Sequence, residues 1–244
     1  MSPMLTIAKR EFRSYFDSPL AYVVICLSYL VLGVFFFTVG RGTFWEVDRA
    51  SVARMFELAP AGLTVVVAVV TMRLVAEERR SGTLEMLITL PVRDSDVVLG
   101  KYLGALGMVL VLVLATVVYP IAMFKWPWNL GPIDAGPVVS GYLGLVLFSA
   151  ATVAIGLLVS SLVESQAVAF FITLFVLMLL WLLGLGANRL GGTTGNALQF
   201  VAFDTRLGGF WRGLVDTRDI VFFLSVTALS LVVAFRALER RKWA

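Results

Sequence analysis

The sequence contains no histidine and a single cysteine, Cys26. A disulfide within the chain is therefore impossible, and a zinc site or another histidine-based metal site is not expected, because the ligands are missing. The absence of histidine also removes the usual general base for a serine or cysteine nucleophile, which excludes a hydrolase of the Ser-His type. Cys26 lies in the first apolar run, and we interpret it as a packing residue.

Charge is also scarce. Only 15% of the residues are charged, 59% are hydrophobic and the mean hydropathy is +0.92. This composition excludes a soluble domain and indicates a polytopic membrane protein. The net charge of +4 comes from basic residues beside apolar runs, where they are expected as orientation and anchoring charges. No nucleic-acid partner is predicted, and membrane lipids are.

Two further absences limit the mechanism. The chain has no Gly-x-x-x-x-Gly-Lys-Ser/Thr sequence, so it is not expected to bind ATP in the Walker manner, and energy from a nucleotide would have to come through a partner. Charged residues are nearly absent from the apolar runs, and Lys101 and Glu164 fall near the predicted ends. This argues against an ion-coupled carrier or a channel that works alone, since such proteins place charges near the membrane midplane.

What the sequence has in abundance is long apolar runs. Six of them are close to the length of about 20 residues that a membrane-spanning helix needs. Lys and Arg number twelve on the side that holds both termini and eight on the other, which predicts cytoplasmic termini. We therefore predict an all-α membrane protein with one domain, 1–244, and spans near 20–39, 58–75, 97–124, 138–160, 167–187 and 219–237.

Amphipathic segments flank these spans. Residues 1–19 carry basic residues on one face and apolar residues on the other, which predicts an interfacial helix. Before the sixth span, apolar residues recur at helical spacing and predict a re-entrant or surface helix pair: Phe203, Leu207, Phe210, Trp211 and Leu214. Pro120 predicts a kink in the third span.

A charged stretch, 76–91, separates the second and third spans. Its consecutive charges exclude a position in hydrocarbon: Glu77, Glu78, Arg79 and Arg80. Leu84, Leu87 and Ile88 share one helical face, and Glu78 and Glu85 share another, so a short amphipathic helix is predicted. It is either a docking element for a cytosolic protein or an ordinary connector whose Arg79 and Arg80 contact lipid phosphates.

Two smaller features leave alternatives open. Gly100 and Gly104 are four residues apart at the start of the third span, which permits close helix approach within the bundle or at a dimer seam. Glu164, in the turn after the fourth span, is either a solvated turn residue or a second cytoplasmic contact.

The charged stretch resembles the coupling segment of permease subunits in the type-2 exporter class of ABC transporters. The likeness rests on Glu77-Glu78-Arg79-Arg80-Ser81-Gly82-Thr83-Leu84-Glu85-Met86-Leu87, Pro91 and Gly100-Lys101. It implies a non-catalytic permease subunit in the bacterial inner membrane, paired with a second permease around a central pathway. It also implies a cytosolic ATPase dimer that binds ATP and Mg²⁺ and contacts the permease through Glu77, Glu78, Arg79, Arg80, Gly82, Thr83, Leu84 and Glu85.

The C-terminal third resembles the gliding-motility branch of these permeases. The likeness rests on Phe203-Asp204, on Gly213-Leu214-Val215-Asp216-Thr217-Arg218-Asp219, and on Ala237-Leu238-Glu239-Arg240-Arg241-Lys242-Trp243. It implies that the second permease is either the same chain or a different one with a periplasmic domain. The alternative function is a scaffold that transmits ATPase motion to periplasmic or cell-surface machinery without transport. The apolar spans identify no substrate.

Overall fold

A computed structural model describes residues 2–38, 52–80, 93–124, 134–190 and 192–240, and all regular structure in these ranges is helical. The long apolar runs leave no alternation of polar and apolar residues that would suit a sheet. The helices are α1 Pro3–Phe16, α2 Pro19–Thr38, α3 Ala53–Thr71, α4 Ala76–Arg80, α5 Asp94–Ala115, α6 Val118–Phe124, α7 Ala135–Leu162, α8 Gln166–Leu190, α9 Gly192–Val201, α10 Phe203–Trp211 and α11 Thr217–Arg240.

Five helical segments of the described chain are long and apolar enough to cross a membrane: Ala53–Arg80, Asp94–Met123, Ala135–Leu162, Gln166–Gly184 and Thr217–Glu239. They fall on the last five predicted spans. The first predicted span falls on α2, whose apolar part Tyr22–Phe37 is a shorter segment. The all-helical membrane architecture is therefore confirmed with five candidate spans, and a sixth stays a prediction.

The bundle is organised around α7. This helix contacts α3, α5, α8, α10 and α11, and most of its residues are buried. Small residues allow this crowding, as at Gly156, where an added Cβ would overlap the side chain of Thr71 on α3. The core around α7 is aromatic and aliphatic, with Phe148, Phe203, Phe210 and Phe223 almost fully buried.

Pro120 coincides with a break in the third predicted span, between α5 and α6. Proline has no N–H to donate to the carbonyl of Thr116, and the N–H of Tyr119 donates to it instead, at 3.0 Å. The N–H of Thr116 donates to Val113 rather than to Leu112, whose carbonyl accepts the hydroxyl of Tyr29 on α2. The neighbouring helix thus satisfies a backbone group that the break exposes, as a membrane interior requires.

The segments outside the spans are helical where they are described. Helix α1 occupies the N-terminal segment, and the short helices α9 and α10 occupy the segment before α11. That α1 lies at the membrane surface stays a prediction, as does the prediction that α9 and α10 are re-entrant or lie at the surface. Of the charged stretch, α4 covers Ala76–Arg80, and residues 81–92 lie outside the described ranges.

Candidate functional site

The candidate site is the start of the charged stretch, where the chain leaves α3 and forms α4. The hydroxyl oxygen of Ser160, near the end of α7, accepts hydrogen bonds from the N–H groups of Val75 at 3.1 Å and Ala76 at 3.2 Å. These donors lie at the start of α4, where helix N–H groups have no partner within the helix. A buried serine of α7 therefore fixes the point from which α4 begins.

The outer side of α4 is attached to the turn between α7 and α8. The guanidinium of Arg79 donates to the Glu164 carboxylate at 2.8 Å and to the Leu162 carbonyl at 3.4 Å. The Glu164 side chain is 75% exposed, so it is an exposed turn residue that also contacts α4. An ion pair this exposed sets position more than it stabilises.

The inner side of α4 contacts a buried cation. The ammonium of Lys101 on α5 donates to the carboxylates of Glu11 on α1 at 2.9 Å and of Glu78 on α4 at 2.6 Å. Only 3% of the Lys101 side chain is exposed, while about a fifth of each glutamate side chain is. We call these three residues the lysine junction. It joins α1, α4 and α5 through one charge.

Glycines beside Lys101 bring α1 close enough for this contact. A Cβ at Gly100 would lie 2.8 Å from the Cβ of Ile7, and one at Gly104 would lie 2.6 Å from the Cβ of Glu11. Real Cβ atoms do not approach so closely, so α1 could not occupy its position against larger residues. The structure thus places Gly100 and Gly104 in packing between α1 and α5 of one chain; a dimer seam at these glycines stays untested.

A second contact holds α1 to the end of α3. The hydroxyl of Tyr15 donates to the carbonyl of Val70 at 3.0 Å, and the guanidinium of Arg73 lies 4.6 Å from the centre of the Tyr15 ring. Burial raises the pKa of Tyr15 far above its ordinary value, and the charge of Glu11 raises it further. Tyr15 therefore remains a neutral hydrogen-bond donor at physiological pH, and α1 is attached to both α3 and α5.

A different cation holds the helices before α11. The guanidinium of Arg206 on α10 donates to Asp219 at 2.9 Å and to the Phe200 carbonyl at 3.1 Å. It also lies 4.4 Å from the ring centre of Phe200 and 5.1 Å from that of Phe222. We call Phe200, Arg206, Asp219 and Phe222 the arginine junction. It attaches α9 and α10 to the start of α11.

The predicted coupling residues are only partly described. Glu78 and Arg79 point into the contacts given above, while Glu77 and Arg80 are exposed on α4. Gly82, Thr83, Leu84 and Glu85 lie outside the described residues, so their contact with an ATPase stays a prediction.

Sequence reasoning missed the burial of Lys101 and the role of Glu11. Lys101 lies near the predicted end of a span, where a lysine is expected to reach the headgroups. The available signal was the single acidic residue of an otherwise basic helix, since Glu11 is the one carboxylate of α1. An acid isolated among basic residues is a candidate partner for a buried cation elsewhere.

The helices able to cross a membrane define the chain as an α-helical integral membrane protein. Residues 55–199, well over half of the chain, match the family described as ABC-2 family transporter protein, and the chain belongs to that family. The match includes most of α3, the charged stretch and α5 to α8, with most of α9.

Curated relatives agree. The chain is 35% identical over 116 residues to "Probable multidrug ABC transporter permease YbhR" in two strains of Escherichia coli. The alignment covers 48% of this chain and spans 30% of the length of those relatives. The predicted likeness to ABC transporter permeases is confirmed at this level.

Proposed function

We propose that this chain is the permease subunit of an ATP-driven exporter, and that the charged stretch is its contact with a cytosolic ABC ATPase. The observation that carries the proposal is the attachment of α4 on both sides, through Arg79 to the turn after α7 and through Glu78 to α1 and α5. A force applied to 81–92 would therefore reach several helices of the bundle at once. A loose connector at the headgroups would need none of these contacts.

The proposed complex contains an ATPase dimer, which binds ATP and Mg²⁺, and a second permease. This chain binds neither ATP nor Mg²⁺ in the proposal. It crosses the bacterial inner membrane six times, with α2 as the first span and both termini in the cytoplasm. The likeness of 203–243 to the gliding-motility branch supports a second permease that is a different chain; the mass of the purified complex tests this.

The coupling contact is tested with Glu85→Lys. Charge complementarity at an interface determines specificity, and reversal of a contact charge costs more than its removal. We expect the purified permease to remain stable in detergent but to retain much less ATPase. Glu46→Lys is the matched control, because the predicted topology places it on the opposite side. Equal ATPase retention by the two variants would favour a connector at the headgroups.

The orientation is tested separately by cysteine labelling in a chain with Cys26→Ser. Thr193→Cys is exposed on α9 and avoids the adjacent Gly192, whose φ of +64° suits glycine. We expect Thr193→Cys to react with a membrane-impermeant thiol reagent in intact cells, and Ser95→Cys to react only after permeabilisation. The reverse pattern would place the charged stretch outside the cell and end the coupling proposal.

The same complex could transmit force without moving a substrate, and ATP hydrolysis separates these functions. An exporter is expected to hydrolyse ATP faster when its substrate is added to proteoliposomes. A scaffold is expected to respond to its periplasmic partner instead.

A further inference from the structure

The lysine junction has two carboxylates and one cation, and the cation is the most deeply buried of the three. Lys101 contacts Glu11 and Glu78 at similar distances, 2.9 and 2.6 Å, although the two glutamates lie on different helices. A lysine ammonium is a compact charge with three rotating donors, so it can bind two carboxylates from different directions. Neither carboxylate alone defines the position of the other; Lys101 defines both.

The two contacts differ in how firmly the surrounding structure holds them. Glu11 is fixed by the close packing of α1 on α5 at Gly100 and Gly104, and by the attachment of Tyr15 to α3. Glu78 lies on α4, a helix of 5 residues at the start of the charged stretch. Lys101 would remain neutralised by Glu11 if α4 moved, because one carboxylate suffices to pair a buried ammonium.

We infer that Lys101 is the positioning residue of the coupling segment: Glu11 holds its ammonium in place, and the ammonium in turn sets the register of α4 through Glu78. Gly104 also contributes to this positioning, since a larger residue there would displace Glu11. This inference rests on the proposed function. It assigns Lys101, Glu11 and Gly104, which lie outside the charged stretch, to the transmission of ATPase motion.

A purely structural ion pair would behave differently. If Lys101 only stabilised the bundle, every substitution would lower the melting temperature, and ATPase retention would fall only in proportion. A positioning residue predicts lost ATPase contact or lost coupling even where the permease remains folded. Exchange of the charges at positions 78 and 101 separates these possibilities, because it restores an opposite-charge contact between α4 and α5 while the contact with Glu11 is lost.

The experiment compares Glu78→Lys, Lys101→Glu and the double variant in the complete complex with its ATPase. We expect each single variant to reduce ATPase retention about tenfold or more, since each leaves like charges in contact. We expect the double variant to retain about threefold more ATPase than the worse single variant, because the lysine introduced on α4 pairs with the glutamate introduced on α5. It should retain less than the natural chain, because that introduced glutamate lies against Glu11. The melting temperature of the permease alone, in detergent, is measured for each variant.

Milder variants cover the case in which the single reversals do not fold. Glu11→Gln keeps the shape of the side chain, and Gly104→Ala adds one methyl group that displaces Glu11. Both are expected to uncouple ATP hydrolysis from the response of the complex to its substrate or partner while the ATPase remains bound. Glu239→Gln, in the exposed pair with Arg236, is the control and is expected to change neither property.

The outcomes are distinct. If the natural permease retains no ATPase, the proposed function fails, and the role of Lys101 fails with it. If the ATPase is retained but the double variant is no better than the worse single variant, the inference fails and the proposed function stands. Unchanged coupling in both Glu11→Gln and Gly104→Ala would also overturn the inference.

Discussion

The lysine junction and the arginine junction each hold helices together around one cation, but their partners lie at different distances along the chain. Lys101 contacts glutamates 90 and 23 residues away, on α1 and α4. Arg206 contacts Asp219 and Phe200, which are 13 and 6 residues away. A long loop costs more entropy to close than a short one, so the lysine junction has to be supported by packing of α1 that already exists.

The two cations also differ in how firmly their surroundings orient them. The guanidinium of Arg206 is planar and lies against two aromatic rings, so its orientation is determined by several groups at once. The ammonium of Lys101 has no ring contact among the described residues and can turn between two carboxylates. The arginine junction therefore attaches α9 and α10 to the segment that follows them in the chain, whereas the lysine junction connects α1, α4 and α5 from distant parts of the chain.

Lys101→Met is the strongest test of the difference in stability contribution between the lysine junction and the arginine junction. Methionine fills a similar volume but leaves Glu11 and Glu78 without their cation, and a broken buried pair costs about 3 kcal/mol or more of unfolding free energy. We expect the largest loss of melting temperature in the series, measured on the permease in detergent. A loss smaller than that of Arg206→Lys would reverse the ranking of the two junctions.

A smaller effect is expected from Arg206→Lys. The charge is retained, but the fork that reaches Asp219 and Phe200 together and the contact with two rings are lost, which costs about 1–2 kcal/mol. Thermal unfolding measures the loss, and limited proteolysis should detect easier cleavage within 192–217. ATPase retention should stay at the level of the natural chain, because this junction does not contact α4. Lost retention would mean that the two junctions communicate.

Arg79→Gln is expected to have a still smaller effect on stability. Its partner Glu164 is mostly exposed, and exposed pairs contribute about 0.5 kcal/mol or less. Thermal unfolding should therefore hardly change, while ATPase retention falls if α4 has to be held from both sides. High salt should reproduce the effect on retention, since it screens an exposed pair.

The smallest effect concerns Asp204, beside the arginine junction on α10. Burial raises the pKa of its carboxyl above the ordinary 3.8, and Glu57 raises it further. A carboxyl with a raised pKa stabilises the folded state most below its ordinary pKa, and this contribution is lost as the pH rises through the raised value. Asp204→Asn should therefore raise the melting temperature slightly at neutral pH and not at about pH 4. The same rise at both pH values would contradict this account.

Much of the fold could be predicted from the sequence. Long apolar runs predict helices that cross a membrane, because a spanning helix satisfies its own backbone groups. The position of the break near Pro120 could also be predicted, since proline removes a specific N–H. The start of the charged stretch could be predicted from four consecutive charges, Glu77 to Arg80, that hydrocarbon does not tolerate.

By itself, then, the sequence determined what each segment needs: an apolar surrounding for the spans, water or a partner for the charged stretch, and the family to which 55–199 belongs. Only the tertiary structure decided which charges meet. From the sequence, Lys101 near the end of a span is expected to reach the lipid headgroups. In the structure, α1 covers Lys101 and supplies Glu11 as its partner. The physical reason is that burial of a charge depends on partners brought from distant segments, and no local pattern around Lys101 records them.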